Sequence, residues 1–200
     1  MKYYQHSATL PEDWAETVTA FWQRYPNPFS KHVVSEDTIF RRIDGGKLWT
    51  RRLMLKTTSK LPGWASVLGG AYAAEAPILE DSRLDRDRRT LVTYTRNVGA
   101  HTRLMTVVEK CVYRPDDDTA GGGQAGTRTV VSREAWITSG VFGLSSLVER
   151  FGYDRFKANT KAAMDGLRFA VAKRRAQAAA AVDEARRRRQ QRRAPPELEG

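Results

Sequence analysis

The chain has 200 residues, of which 40% are hydrophobic and 28% are charged, a composition typical of a soluble globular protein with one ordinary domain and a tail. No stretch approaches the roughly 18 consecutive apolar residues of a membrane-spanning helix, and a single cysteine, Cys111, excludes an internal disulfide bond and a cysteine-based zinc site. The formal net charge of +11 predicts an acidic partner.

The N-terminal segment predicts a strand, a helix and a stiff bend. Residues 2–9 alternate loosely, which favours a strand and gives no sign of a cleaved targeting presequence. Leu10-Pro11-Glu12-Asp13 resembles a helix start, and apolar side chains then recur at helical spacing from Trp14 to Trp22. Because each proline disfavours helix at the residue before it, we expect the helix to end at Tyr25-Pro26-Asn27-Pro28.

The middle of the chain predicts strands. Two turn signals, Asp44-Gly45-Gly46 and Asn97-Val98-Gly99, separate runs rich in β-branched and aromatic residues. Together with residues 2–9, these runs predict an antiparallel meander of about seven strands. The runs cover residues 33–43, 47–57, 71–80, 89–98, 104–114 and 127–139.

The C-terminal part predicts a long helix and a tail. An apolar stripe runs from about 144 to 172, although Gly152 and Gly166 should weaken the helix. Helix, sheet and helix in this order predict an α+β fold, in which one curved sheet packs on the C-terminal helix and encloses a cavity. Residues 175–200 are Ala/Arg-rich without an apolar stripe, so we expect a solvated helix or disorder after a domain at 1–174.

Signatures of catalysis and of cofactor binding are missing from the sequence. It has no phosphate-binding glycine loop, no dinucleotide fingerprint and no metal-spaced cluster of histidine and cysteine. The three histidines, His6, His32 and His101, are far apart in the sequence. We therefore expect a binding protein without a cofactor rather than an enzyme, although residues of a catalytic triad need only meet in space.

One segment carries an ordered set of motifs. Arg24-Tyr25-Pro26-Asn27-Pro28-Phe29-Ser30-Lys31-His32-Val33 resembles the signature of the PRELI/MSF1 family, and further blocks follow in that family's order over about residues 1–174. These blocks are Lys60-Leu61-Pro62-Gly63-Trp64, Tyr94-Thr95-Arg96-Asn97, Arg103 to Glu109, Cys111-Val112-Tyr113, Arg133-Glu134-Ala135-Trp136 and Phe156-Lys157-Ala158-Asn159.

The resemblance implies a START-like lipid-transfer protein of the mitochondrial intermembrane space. It implies a seven-stranded sheet and a long C-terminal helix around a lipid cavity, which a lid loop closes. It further implies a small twin-CX9C helical partner, peripheral contact with anionic mitochondrial membranes, and transfer of phosphatidic acid between outer and inner membrane in support of cardiolipin synthesis. Phosphatidylserine is the alternative cargo.

The family's headgroup site carries over residue by residue. The polar floor of the cavity matches Arg24 and His32, and other matched positions are Lys60, Arg155, Asn159, Lys161 and, with a less secure register, Lys56. The alternatives are a helix-end cation for Arg24 and solvated surface charges for the lysines. The lid loop and membrane contact match Leu61, Pro62, Trp64, Val67, Leu68, Gly69, Gly70 and Tyr72, which could instead be an ordinary strand connection.

The charge distribution leaves a second hypothesis open. Residues from 173 onward carry +5 of the net charge, and residues 1–172 carry the remaining +6. An arginine-rich tail of this kind binds polyanions without reading sequence, so a nucleic-acid-binding module is the alternative function. No RNA- or DNA-binding motif is recognisable in the domain, and we expect no specific nucleic acid. Added affinity for anionic membrane is a third role for the tail.

Overall fold

The computed structural model describes residues 1–57, 75–117 and 128–191. Seven strands form one antiparallel sheet in the order β1-β7-β6-β5-β4-β3-β2, so that β2 to β7 are a continuous meander and β1 joins its far edge. The strands are β1 (Lys2–Leu10), β2 (Val33–Asp44), β3 (Lys47–Thr57), β4 (Glu75–Asp85), β5 (Thr90–Asn97), β6 (Thr106–Pro115) and β7 (Thr129–Thr138).

Helix α1 (Trp14–Phe21) follows β1, and helix α2 (Ser145–Gln191) follows β7. A short 3₁₀ helix (Gly99–Arg103) connects β5 to β6. The prediction of a START-like α+β fold with a curved seven-stranded sheet and a long C-terminal helix is confirmed. Among the described residues, neither α-helix combines the length and the apolar character that a membrane crossing requires.

The start of α1 follows from its capping residue. The Asp13 carboxylate accepts hydrogen bonds from the backbone N–H of Ala15 at 2.7 Å and of Glu16 at 3.3 Å, which satisfies two free donors of the first turn. The helix buries Trp14, Val18 and Phe21 against the sheet and α2. It ends at Phe21, earlier than the double-proline bend where we expected it to end.

Two clusters of buried side chains form the core. The larger one joins α1 to the inner face of the sheet and to the middle of α2, where Leu167, Ala170 and Val171 are buried. The smaller one contains Tyr4 and Ile137 and packs against the first turns of α2. The candidate site is a cavity whose wall includes Met105, Val107 and Phe156, which pack against the smaller cluster.

The predicted strand at 71–80 is wrong at its C-terminal end, because β4 continues to Asp85. Its inward positions include Glu80 and Ser82, which are buried polar residues and do not give the apolar alternation of a half-buried strand. Their polar groups find partners inside: Ser82 shares a 2.5 Å hydrogen bond with Thr50, and Glu80 pairs with arginines.

The glycines of α2 allow close packing and do not interrupt the helix. A Cβ atom at Gly152 would lie 2.1 Å from the Met105 sulfur, and one at Gly166 would lie 2.9 Å from the side chain of Asn27. Asn27 in turn holds the double-proline bend, donating to the Arg24 carbonyl at 2.6 Å and accepting from the Phe29 N–H at 2.9 Å. Because Gly166 has no side chain, the double-proline bend packs directly against the helix.

Helix α2 continues past the predicted domain boundary between residues 174 and 175. From Ala176 to Gln191 every residue is exposed, so the described part of the tail is a solvated helix continuous with the domain. The remaining tail residues, 192–200, lie outside the described residues.

Candidate functional site

A cavity of about 260 Å³ lies between the inner face of the sheet and the first half of α2. Its wall is apolar over most of its area, with Ile78, Leu104, Met105, Phe151 and Phe156, and it also contains charged and polar side chains. Behind it lies a smaller cavity of about 70 Å³. Residues common to both walls are Tyr25, Lys56, Thr95, Glu109, Arg133 and Ala163.

Four of the predicted headgroup residues line the larger cavity. His32 comes from the end of the double-proline bend, Lys56 from β3, and Arg155 and Asn159 from α2. Their convergence follows from the register, because Val33 pairs with Lys56 across β2 and β3. Arg155 and Asn159 are four residues apart, and side chains at that spacing lie on the same face of a helix.

Burial sets the protonation state of this group. Burial, and then the positive charges of Lys56 and Arg155, lower the pKa of His32 below its usual value, so its imidazole is neutral near pH 7. Burial also lowers the pKa of Arg155, and no carboxylate of the described residues offsets that effect. Arg155 remains charged nonetheless. The site thus presents positive charge that lacks a matching anion, which is the electrostatic condition for binding one.

Arg24 lies deeper than expected, with its side chain already engaged. It lines the small rear cavity, where one guanidinium nitrogen donates to the Phe21 carbonyl at 2.8 Å and the other contacts Glu80 at 2.5 Å. Arg52 also pairs with Glu80 and, at 3.0 Å, with Glu36. Burial opposes a charge on Glu80, but Arg24 and Arg52 outweigh it and lower the pKa of Glu80. We expected Arg24 to hold phosphate directly; here it stabilises the cavity floor.

Arg133 is a functional candidate that sequence reasoning missed. Its side chain is buried, lines both cavities and forms an ion pair with Glu109. The sequence contained a signal for it. Buried and partly buried residues alternate strictly along β7, and the inward-facing positions include Val131, Arg133, Ala135 and Ile137. Cys111 is buried as expected, and its thiol donates to Glu109 at 3.2 Å. Arg133 is thus already paired with a carboxylate, which distinguishes it from Arg155.

The other predicted site residues either are exposed or lie outside the described residues. Lys161 is exposed and does not belong to the wall of either cavity. Lys60 and the lid residues Leu61, Pro62, Trp64, Val67, Leu68, Gly69, Gly70 and Tyr72 lie outside the described residues. The described ends of this segment, Thr57 and Glu75, lie at the cavity, since Thr57 lines it and pairs with Glu75.

Solved structures with the same architecture show that the fold is START-like. A Thermus thermophilus protein, TTHA0849, superposes with a TM-score of 0.57 at 11% identity, covering 86% of this chain and 98% of that one. The Zhui aromatase/cyclase from Streptomyces sp. R1128 gives a TM-score of 0.54 at 11% identity, over 86% and 94% of the two chains. At sequence identities this low, the superpositions show a shared fold and nothing further.

The family follows from the sequence relatives, and the chain belongs to the PRELI-like family, whose model matches residues 15–177. It is 42% identical over 180 residues to PRELI domain-containing protein 1, mitochondrial, of Bos taurus, covering 89% of this chain and 78% of the relative. It is 38% identical over 173 residues to Protein UPS1, mitochondrial, of Saccharomyces cerevisiae, covering 84% and 93%. The resemblance seen in the motifs is therefore confirmed.

Proposed function

We propose that the protein extracts single phospholipids from one membrane, shields them in its cavity and delivers them to another, without covalent chemistry. The observation that carries the proposal is a half-buried cation, Arg155, which lacks a carboxylate partner among the described residues and lines a cavity whose wall is apolar over most of its area. A phosphate headgroup matches the charged side of such a cavity, and the first part of an acyl chain matches the apolar side.

The acyl chains explain why a carrier is needed. At about 0.8 kcal/mol per CH₂, two chains with roughly 30 methylenes cost on the order of 24 kcal/mol to expose to water. We propose that the cavity of about 260 Å³ holds the headgroup and its glycerol. The chains need a further apolar path, and the loop at residues 61–76 remains our proposal for its gate.

Contact with the bilayer is proposed to involve the connection between β7 and α2. Phe142 is fully exposed there, and Leu147 on the first turns of α2 is 44% exposed. An aromatic side chain without protein contacts suits the membrane interface, and Val148 and Phe151, directly after this segment, line the cavity. The lipid would therefore enter beside the docked surface.

Phosphatidic acid is the proposed cargo and phosphatidylserine the alternative. A phosphate monoester carries between one and two negative charges and suits Arg155, Lys56 and Asn159 better than a zwitterionic headgroup, because uncompensated charge in a low-dielectric cavity discriminates strongly. Both relatives named above are described as mitochondrial, so we propose the mitochondrial intermembrane space and a supporting role in cardiolipin synthesis.

A small helical partner of the twin-CX9C type is proposed to cover the outer face of the sheet. Four large side chains, Phe40, Trp49, Leu53 and Tyr94, are at least one-third exposed there, and three of them line a groove. We expect Trp49→Asp to abolish copurification with a coexpressed partner of that type, because a charge would enter an apolar interface. Val182→Asp, on the exposed tail, is the matched control. Undiminished copurification of Trp49→Asp would contradict this location.

Transfer between vesicles tests the main proposal. Donor vesicles contain labelled phosphatidic acid, phosphatidylserine or phosphatidylcholine, and acceptor vesicles contain none. We expect the protein to accelerate movement of phosphatidic acid most and of phosphatidylcholine least. Equal rates for the three lipids would contradict the proposed selectivity, and no acceleration of any lipid would contradict the carrier function itself.

A further inference from the structure

The domain has two ends that differ in character. At one end, which we call the mouth end, lie Val33, Lys56, Ala76, Asn97 and Thr138, together with the cavity and Phe142. The far end consists of the opposite strand termini and the hairpin turns. They include Leu10, Asp44, Lys47, Asp85, Thr90 and Thr129.

Helix α2 runs from the mouth end to the far end and beyond it. It begins beside the N-terminus, where the Met1 ammonium contacts Glu149 at 2.8 Å. At the far end it is fixed to α1 and its cap region: Arg168 lies 3.4 Å from Glu12, and Arg175 donates to Glu16 at 3.0 Å. These contacts set the direction in which the exposed part of the helix leaves the domain.

The exposed part of the helix ends in four consecutive arginines, Arg186–Arg189, which we call the arginine tip. At 3.6 residues per turn, four successive side chains point in four directions around the axis, so the tip is basic on every side. Arg188 is held by Glu184 at 2.5 Å. The other three arginines have no carboxylate partner within the described part of the chain.

The length of the helix separates the tip from the mouth. At about 1.5 Å per residue, Arg188 lies about 55 Å along the helix from Phe151 in the cavity wall. Charges in solution are screened over about 8 Å at physiological ionic strength. The tip therefore does not contribute to the docking of the mouth on a membrane, and a surface that binds the tip is a second surface.

We propose that the arginine tip binds the surface of an anionic lipid bilayer while the mouth faces another bilayer, so that one molecule tethers two membranes. This inference rests on the proposed lipid-carrier function, in which the mouth end docks on a membrane. Arginines without an apolar helix face bind anionic headgroups by charge alone. A bilayer is favoured over nucleic acid because residues 170–191 contain no aromatic side chain on which bases could stack.

Clustering of vesicles measures tethering directly. Light scattering follows vesicles with and without phosphatidylserine at about 0.15 M salt, after addition of the full-length protein. We expect clustering only of the anionic vesicles. The triple variant Arg186→Gln, Arg187→Gln, Arg189→Gln keeps good helix formers and should lose clustering, because three fewer basic contacts weaken the tip's binding about 100-fold.

A matched control removes the same charge elsewhere. The variant Arg41→Gln, Arg88→Gln, Arg114→Gln changes three exposed arginines of the domain and should cluster vesicles like the unaltered protein. Phe142→Ser should also lose clustering, yet keep binding to single anionic vesicles through the tip. Clustering by the tip variant as strong as that of the control would overturn the proposal, and so would preferential binding of the tip to an RNA oligonucleotide in the same buffer.

Lipid transfer, followed in the same samples, separates this proposal from the carrier function. Clustering without transfer of any lipid would contradict the carrier function and leave the tip's binding to bilayers intact. Transfer that persists in the tip variant, with clustering lost, is the result we expect.

Discussion

Replacing Glu80 with Gln is expected to lower the free energy of unfolding by about 3–5 kcal/mol, the usual cost of removing one partner from a buried ion pair. Glu80 is the shared carboxylate of Arg24 and Arg52, and all three side chains are nearly inaccessible to solvent. With a neutral amide in its place, the half-buried Glu36, which contacts Arg52, would be the one carboxylate among the described residues still paired with these two guanidinium groups. An uncompensated charge in the cavity floor is the cause of the loss.

The neighbouring residue provides the control for this prediction. Asp81 pairs with Arg51 at 2.5 Å on the outer face of the same two strands, where both side chains are partly exposed. Asp81→Asn should therefore cost about 1 kcal/mol or less. Chemical denaturation of both variants at pH 7 gives the comparison. Similar losses for Glu80→Gln and Asp81→Asn would contradict this prediction. The buried cluster of Arg24, Arg52 and Glu80 would then stabilise the fold no more than the outer pair does.

The same cluster predicts a pH dependence. Since the folded protein lowers the pKa of Glu80 below its ordinary value of 4.5, the charged pair contributes its full stabilisation above that value. The contribution is lost as the pH falls through the lowered pKa. The difference in unfolding free energy between the unaltered protein and Glu80→Gln should be constant from pH 7 to about 5 and shrink below 4.5.

The sheet could be predicted from the sequence because β-branched runs and glycine turns report local structure. The end of β4 could not, since Glu80 and Ser82 are polar residues whose partners lie on other elements. The partner of Arg24 is 56 residues away, and no local pattern encodes that pairing. Long-range charge pairing therefore decides whether a cation is a structural residue or is left available for a ligand.

Helical periodicity, in contrast, separates the candidates on α2. At about 100° per residue, Asn159 lies roughly 40° from Arg155 around the helix axis, whereas Lys161 lies roughly 120° away. The structure agrees, because Arg155 and Asn159 line the cavity and Lys161 lines neither cavity. The family motif matched all three residues, with Asn159 the firmest because Phe156 fixes the register, and the geometry of a helix already separates Lys161 from the other two.

Reversing the charge at Arg155 is expected to reduce phosphatidic acid transfer on the order of 100-fold, because the proposed charge-assisted contact is lost and repulsion of phosphate is added. We expect the stability of the fold to be maintained, so that a loss of transfer can be assigned to the cavity. Arg155 has no carboxylate partner among the described residues, and burial lowers its pKa. A glutamate there would face His32 and Lys56 across the cavity, so the melting temperature of Arg155→Glu should be unchanged or higher.

Two outward-facing lysines on the same helix control for net charge. Lys157→Glu and Lys161→Glu change the charge of the protein by the same amount but lie on the exposed side of α2. Any loss of transfer that they share with Arg155→Glu reflects weaker attraction to anionic vesicles, and only the excess loss belongs to the cavity. If the three variants transfer phosphatidic acid equally well, the headgroup does not bind at Arg155. If Lys161→Glu alone is inactive, Lys161 contacts the headgroup as the family motif implies, although it lies on the exposed face of the helix.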